Sequence, residues 1–204
     1  MAADSRLTRI DEYTDGRVVK KYQDNIMKLF ELKNRNIGIL WCGDYKVGDD
    51  EIPEFLEKIN SIVYDDDSVE IVANKINKYC LNNYRSSITW QVAGYNAGEQ
   101  FVYQIVDDVV TRKNINSHTG NEMFCIIWDG ERTISRQYIN EDVPIRVDDG
   151  RMLRGSDITN MSIDEGALFA KALLEKSCEE LDSCAKPIDV LVITSKGLEW
   201  KIRK

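Results

Sequence analysis

Residues 162–202 constrain the fold more than any other stretch, because they encode one long amphipathic helix followed by a buried hairpin. Ser162 with Glu165 three residues on is a capping box, which marks the helix start. Ile163, Ala167, Ala170, Leu174, Cys178 and Leu181 then recur at steps of three and four, predicting one apolar helix face. After Pro187 the run Ile188, Asp189, Val190, Leu191, Val192, Ile193, Thr194 is almost unbroken in apolar residues, as in a strand covered on both faces. Ser195, Lys196 and Gly197 can turn the chain. Leu198, Trp200 and Ile202 alternate with charged residues, as in a half-exposed strand. A helix packed on a sheet that is covered again on its far side is a layered α/β arrangement.

A chain of 204 residues is long enough for one domain with a substantial core, and no linker divides it, so a single domain over 1–204 is expected. The formal net charge of −8 argues against nucleic acid and anionic membrane as partners. Cys42, Cys80, Cys125, Cys178 and Cys184 are scattered, odd in number and mostly inside apolar runs, which reads as reduced core thiols. No run approaches membrane-spanning length and the first residues lack the regions of a signal peptide, so the cytoplasm is the expected compartment.

In chain order, residues 2–6 read as the end of a strand turning into a loop. Residues 26–32 and 37–42 read as a strand pair around Lys33, Asn34, Arg35 and Asn36, with Gly43 ending the second strand. One helix starts near Pro53 and carries Phe55, Leu56, Ile59, Ile62 and Val63. Another follows the acidic run Asp65, Asp66, Asp67 and carries Val69, Val72, Ile76, Tyr79 and Cys80. Ile88, Trp90 and Val92 alternate, as do Phe101, Tyr103 and Ile105, with Asn96, Ala97 and Gly98 as the turn of a hairpin. Residues 123–128 read as a further strand, 134–139 as a short helix or a loop, and 145–160 as a surface excursion. The order of elements predicts an α+β fold: a four-layer αββα sandwich of two antiparallel sheets flanked by helices.

Together these segments resemble the proteasome β-type subunits of the N-terminal nucleophile hydrolases. Residues 2–8 (AADSRLT) are similar to the family's A-A-D-S-R-x-T motif, and Lys28, Leu29, Phe30 to the strand carrying its lysine. Gly38 to Gly43 resembles the strand ending in its oxyanion-hole glycine. Gly94 and Tyr95 with 101–105 (FVYQI) resemble its central hairpin, and 161–167 with 187–190 its closing helix and strand. The resemblance implies an αββα fold and hydrolysis of a peptide or small amide by an N-terminal threonine. It implies self-association into a homo-oligomer; no cofactor and no metal are expected. Carried over by motif, Lys28 would tune the nucleophile, Asp4 would be its carboxylate partner, Gly43 the oxyanion donor through its N–H, and Asp182 the supporting acid. The chemistry is sound in principle, since an α-amine titrates near neutral pH and can act as a local base.

The sequence departs from that pattern in three places. The nucleophile would lie roughly a dozen residues before the A-A-D-S-R motif at ordinary strand lengths, ahead of Met1. The family's G-S-G-S stretch stands here as Trp128, Asp129, Gly130 and Glu131, and Ala185 replaces a serine near Asp182. Two readings therefore stand: a threonine-type hydrolase whose start lies upstream of Met1, or a non-catalytic relative with an assembly or binding role. For a polypeptide starting at Met1, no nucleophilic catalysis of this type is expected. Structural readings compete at each position. Lys28 could be a solvent-facing strand lysine, Asp4 and Arg6 a surface ion pair, Gly43 a plain turn glycine and Asp182 a helix-end residue. His118, the single histidine, lies in a polar loop and suits no Ser-His or Cys-His pair. No zinc spacing and no glycine-rich phosphate loop is present, and Cys42 reads as a core thiol.

Overall fold

A computed structural model describes residues 1–32, 35–83, 87–130 and 133–204, with Asn83 described by its backbone alone. Lys33 and Asn34 of the expected turn, and Glu131 of the 128–131 stretch, lie outside the described residues. The first strands are β1 (Ala2–Ala3), β2 (Leu7–Glu12), β3 (Val18–Gln23), β4 (Leu29–Glu31) and β5 (Ile37–Gly43). Short β6 (Lys46–Val47) and β7 (Asp50–Glu51) lead into helices α1 (Ile52–Ile62) and α2 (Val69–Asn83). Then come β8 (Ile88–Asn96), β9 (Glu99–Val106), β10 (Val109–Arg112) and a single helical turn α3 (Thr133–Ser135). The chain closes with β11 (Ile145–Arg146), β12 (Met152–Leu153), helix α4 (Ile163–Glu180), β13 (Asp189–Thr194) and β14 (Gly197–Ile202). The fold is α+β, with antiparallel sheets and helices packed on them.

The chain divides into two compact units. The first comprises residues 1, 29–130 and 192–199 and is built on an antiparallel sheet in the order β10-β9-β8-β5-β4. Trp41 and Trp90 face each other across β5 and β8, both almost fully buried. Phe55 of α1 lies 5.1 Å from the Trp90 ring and 5.3 Å from Tyr79 of α2, so the aromatic side chains join both helices to the sheet. Of the apolar positions expected on the two helices, Phe55, Leu56, Ile59, Val69, Val72, Ile76 and Cys80 are buried, Val63 and Tyr79 are half-buried, and Ile62 is exposed. Asn96 pairs with Glu99, which leaves Ala97 and Gly98 as a two-residue turn, both at positive φ (50° and 86°). That is the conformation a tight right-twisted hairpin demands. Gly94 is required by close approach, since a Cβ there would sit 2.6 Å from the Asn36 carbonyl oxygen.

One expectation for this unit fails. Residues 123–128 are apolar enough for a strand but form none; nearby, an isolated bridge joins Ile115 and Glu122, and the Met123 N–H donates to the Asn114 carbonyl at 3.1 Å. β-propensity expresses a fit to neighbouring strands, and among the described residues this segment joins no ladder.

The second unit comprises residues 2–28, 131–191 and 200–204. β1 pairs antiparallel with β13, Ala2 opposite Val190 and Ala3 opposite Asp189, and β14 completes a three-stranded sheet. Helix α4 packs on β1. Its capping box forms as expected: the Ser162 hydroxyl accepts the Glu165 N–H, while the Glu165 carboxylate accepts the Ser162 N–H. Its buried positions are Phe169, Ala172, Leu173 and Ser177, whereas Ile163 is exposed. The buried stripe thus runs one residue ahead of the expected face, because Ala170, Leu174 and Cys178 are half covered rather than facing the core. Residues 145–160 do not form a plain surface excursion either. β11 pairs with β12, and Ile145, Val147 and Leu153 are buried, so three apolar side chains fold this stretch inward. The hairpin of β2 and β3 had no counterpart in the reading of the sequence.

Candidate functional site

The A-A-D-S-R motif makes sense residue by residue in the second unit. The two alanines form β1, small enough for α4 to lie on them. Ser5 is fully buried and ties three segments. Its N–H and hydroxyl both donate to the Ala185 carbonyl (2.9 and 3.1 Å), and its own carbonyl accepts the Ile26 N–H at 2.9 Å. These bonds bring residues 4–6, 26–28 and 182–185 together.

At that junction the Lys28 ammonium donates to Asp4 Oδ1 at 2.8 Å, with only 14% and 11% of the two side chains exposed. The other Asp4 oxygen accepts the Arg6 N–H (2.9 Å) and the Ala185 N–H (3.3 Å). The Asp4 carboxylate is therefore hydrogen-bonded by one ammonium and two backbone N–H groups. Arg6 turns away from it and clamps Asp24 through both carboxylate oxygens (2.6 and 2.9 Å), while its remaining terminal nitrogen donates to the Asp182 carbonyl at 2.8 Å. The Asp182 side chain is exposed, so residues 182–185 contribute backbone groups to this junction.

A second ion pair stands beside the first. Asp189, 1% exposed, accepts the Lys204 N–H at 2.8 Å and lies 3.3 Å from the Lys204 ammonium, which also donates to the Ile26 carbonyl. Burial holds the Lys204 ammonium below the usual lysine range, although Asp189 and Asp4 oppose the shift. The Cys178 thiol is pushed up to about 12, first by burial and then by the nearby Asp4 and Cys184 charges. A thiol so placed stays protonated and is no nucleophile. Sequence reasoning missed Lys204 and Asp189; the one charged residue inside an otherwise apolar strand run was the signal.

Gly43 belongs to the other unit. It ends β5 at φ +121°, and a Cβ there would fall 2.0 Å from the Ser87 carbonyl oxygen, so no side chain fits. Asp44 fixes the adjoining backbone: its N–H donates to the Ser87 carbonyl (3.2 Å) and its carboxylate accepts the Ser87 N–H (2.9 Å). In the same unit, Asp129 is gripped by Gln91 (2.6 Å) and Gln104 (2.9 Å), cross-strand neighbours on β8 and β9. The departure at 128–131 thus has a structural use, anchoring the chain on the sheet ahead of Gly130, whose Cβ would meet Cys42 Sγ at 3.2 Å. His118 is exposed in its loop. Among the described residues no cluster of histidine, cysteine and carboxylate side chains could hold a metal ion, and no helix is long and apolar enough to cross a membrane.

No family model matches the chain, and no curated protein matches it. Solved structures do. A Gly-1 mutant of Anbu from Hyphomicrobium sp. strain MC1 superposes with a TM-score of 0.63 at 13% identity, over 100% of this chain and 80% of that one. Anbu from the same strain in another crystal form gives 0.58 at 16% identity, with the same coverage. The assignment to the proteasome β-type subunits is overturned by this result. The similar structures are Anbu, a proteasome-like protein related to the N-terminal nucleophile hydrolases, and no sequence-level match to any family supports the narrower placement. At such identities the likeness carries the fold and nothing finer: this chain has a proteasome-like, N-terminal-nucleophile-hydrolase fold.

Proposed function

We propose that the Asp4–Lys28 junction serves amide hydrolysis by an N-terminal nucleophile. The single observation that carries this reading is a nearly buried lysine held by one carboxylate, beside backbone donors, in a fold of this kind. In that chemistry the hydroxyl or thiol of a terminal residue attacks the amide carbonyl, and the free α-amine takes its proton. The carbon–nitrogen bond breaks, the leaving amine receives the proton, and water releases the acyl group. The Lys28 ammonium, charge-balanced by Asp4, would favour both the ionised nucleophile and the tetrahedral oxyanion. By the sequence resemblance alone, the N–H of Gly43 would be the oxyanion donor and Asp182 a supporting acid. Peptides or small amides are the substrate class, and assembly into a homo-oligomer and a reducing cytoplasmic setting belong to the same reading.

A non-catalytic role is the second reading, favoured by the exposed Asp182 side chain and by Ala185 offering only backbone groups. The deciding experiment is N-terminal sequencing and intact mass of the protein from its native host, followed by turnover of a fluorogenic peptide panel. A mature Thr, Ser or Cys terminus with turnover abolished by Lys28→Met is the expected result. A mature terminus of any other kind, or turnover indifferent to Lys28→Met, overturns the hydrolase reading in favour of the second.

A further inference from the structure

The hairpin of β2 and β3 leaves several large apolar side chains exposed. All six residues of β3 are exposed, and Ile10 (55%), Val18 (58%) and Tyr22 (45%) share one face. The two strands form a sheet of their own, and among the described residues no third strand pairs with either. Two strands alone are marginal in water, and each free edge is a template for another strand. The base is nonetheless firmly set, by the Arg6–Asp24 clamp and by the Thr8 hydroxyl donating to the Ser183 carbonyl at 3.4 Å. A rigidly mounted hairpin with open edges is built to be covered.

The charges choose the edge and the occupant. Around Ile10 the sequence of β2 is complementary to itself. Laid antiparallel on a second copy, Ile10 meets Ile10, Arg9 meets Asp11, Asp11 meets Arg9, and Thr8 and Glu12 meet each other. β3 has no such register: any near-central antiparallel self-pairing of Val18, Val19, Lys20, Lys21, Tyr22 and Gln23 sets lysine against or beside lysine, which guards that edge. The hairpin also carries four cations (Arg9, Arg17, Lys20, Lys21) against three anions (Asp11, Glu12, Asp15), in a chain whose net charge is −8. Asp11 is held within its own hairpin by Arg9 (2.7 Å) and Lys21 (2.8 Å), and Arg9 is well exposed, so Arg9 can exchange to the same carboxylate on a neighbour while Lys21 stays in place. We propose that two copies of this chain join through their β2 edges about a two-fold axis at Ile10. The product is a four-stranded antiparallel sheet in the order β3-β2-β2-β3. Such a contact is closed, because the same patch is used on both sides.

The test is register-specific cross-linking with sedimentation of the full chain. Ile10→Cys is expected to give a covalent dimer on mild oxidation, while Val18→Cys, Tyr22→Cys and the unchanged chain do not. Arg9→Asp is expected to weaken the dimer about tenfold or more by setting like charges across both symmetric contacts. Arg9→Asp with Asp11→Arg should restore it. An Ile10→Cys chain that stays uncross-linked, cross-linking at Val18→Cys as readily, an open-ended series of oligomers, or association indifferent to Arg9→Asp would each overturn the proposal.

Discussion

At the level of single residues, the Asp4–Lys28 pair is a costly electrostatic commitment, because both charged side chains are largely withdrawn from water. Lys28→Met would leave the Asp4 carboxylate buried beside two N–H groups but without its cation, and Asp4→Asn would strand the ammonium. Each is expected to cost about 3 kcal/mol in urea denaturation, and the double variant clearly less than the sum, since no uncompensated charge remains. An additive double variant would mean that the two groups do not depend on each other. The thiols give a second measurable effect. Burial raises Cys80 to about 11 and Cys178 to about 12, against an ordinary value of 9.0. Above pH 9 the unfolded chain loses these protons and the folded chain keeps them, so stability is intact below that pH and declines as pH rises toward 11. For Cys80 the slope approaches ~1.4 kcal/mol per pH unit, and Cys80→Ala should flatten the decline in denaturation curves taken across this window.

At the level of elements, the turn joining β8 and β9 shows what the sequence could reveal and what it could not. Alternating apolar residues on either side of Asn96, Ala97 and Gly98 made the hairpin legible, because a period of two and a glycine are local signals. The left-handed φ of 50° at Ala97 was not legible, since alanine is seldom found there. Ala97→Asn should therefore raise the melting temperature, corresponding to about 0.5–1 kcal/mol, by placing a residue that tolerates this conformation. A lowered melting temperature would show that the turn depends on the small alanine side chain. Long-range terms explain the misreadings. Residues 123–128 look like a strand in isolation, but among the described residues they join no ladder. The buried stripe of α4 is displaced because half-covered positions on its flank carry the same hydrophobicity as the core ones. Lys28 and Asp4 were readable only through motif order, since the residues between them fold into a hairpin that composition did not announce. Lys204 escaped because its partners Asp189 and Ile26 are distant in sequence.

At the level of the whole molecule, order along the chain carried more information than any single motif. The succession of strand, hairpin, paired helices and closing helix–strand unit identified a fold that Anbu shares at 13–16% identity, while the narrower family placement did not survive. Weak motifs fix topology because each marks a backbone requirement, as Gly43 and Gly94 do; they do not fix ancestry or chemistry. Net charge acts at this scale too, and it bears on the two-fold pairing of β2 strands. Two bodies of net charge −8 repel over distances longer than any side-chain contact, whereas the Arg9–Asp11 attraction works only at close range and at an exposed site. Added salt screens the long-range repulsion first. Raising ionic strength from about 10 mM to about 150 mM shortens the screening length from ~30 Å to ~8 Å. Dimerisation measured by sedimentation should accordingly tighten by about tenfold over that range and then level off. A dimer that instead loosens steadily with salt would mean that its ion pairs, rather than the Ile10 strand contact, hold the two copies together.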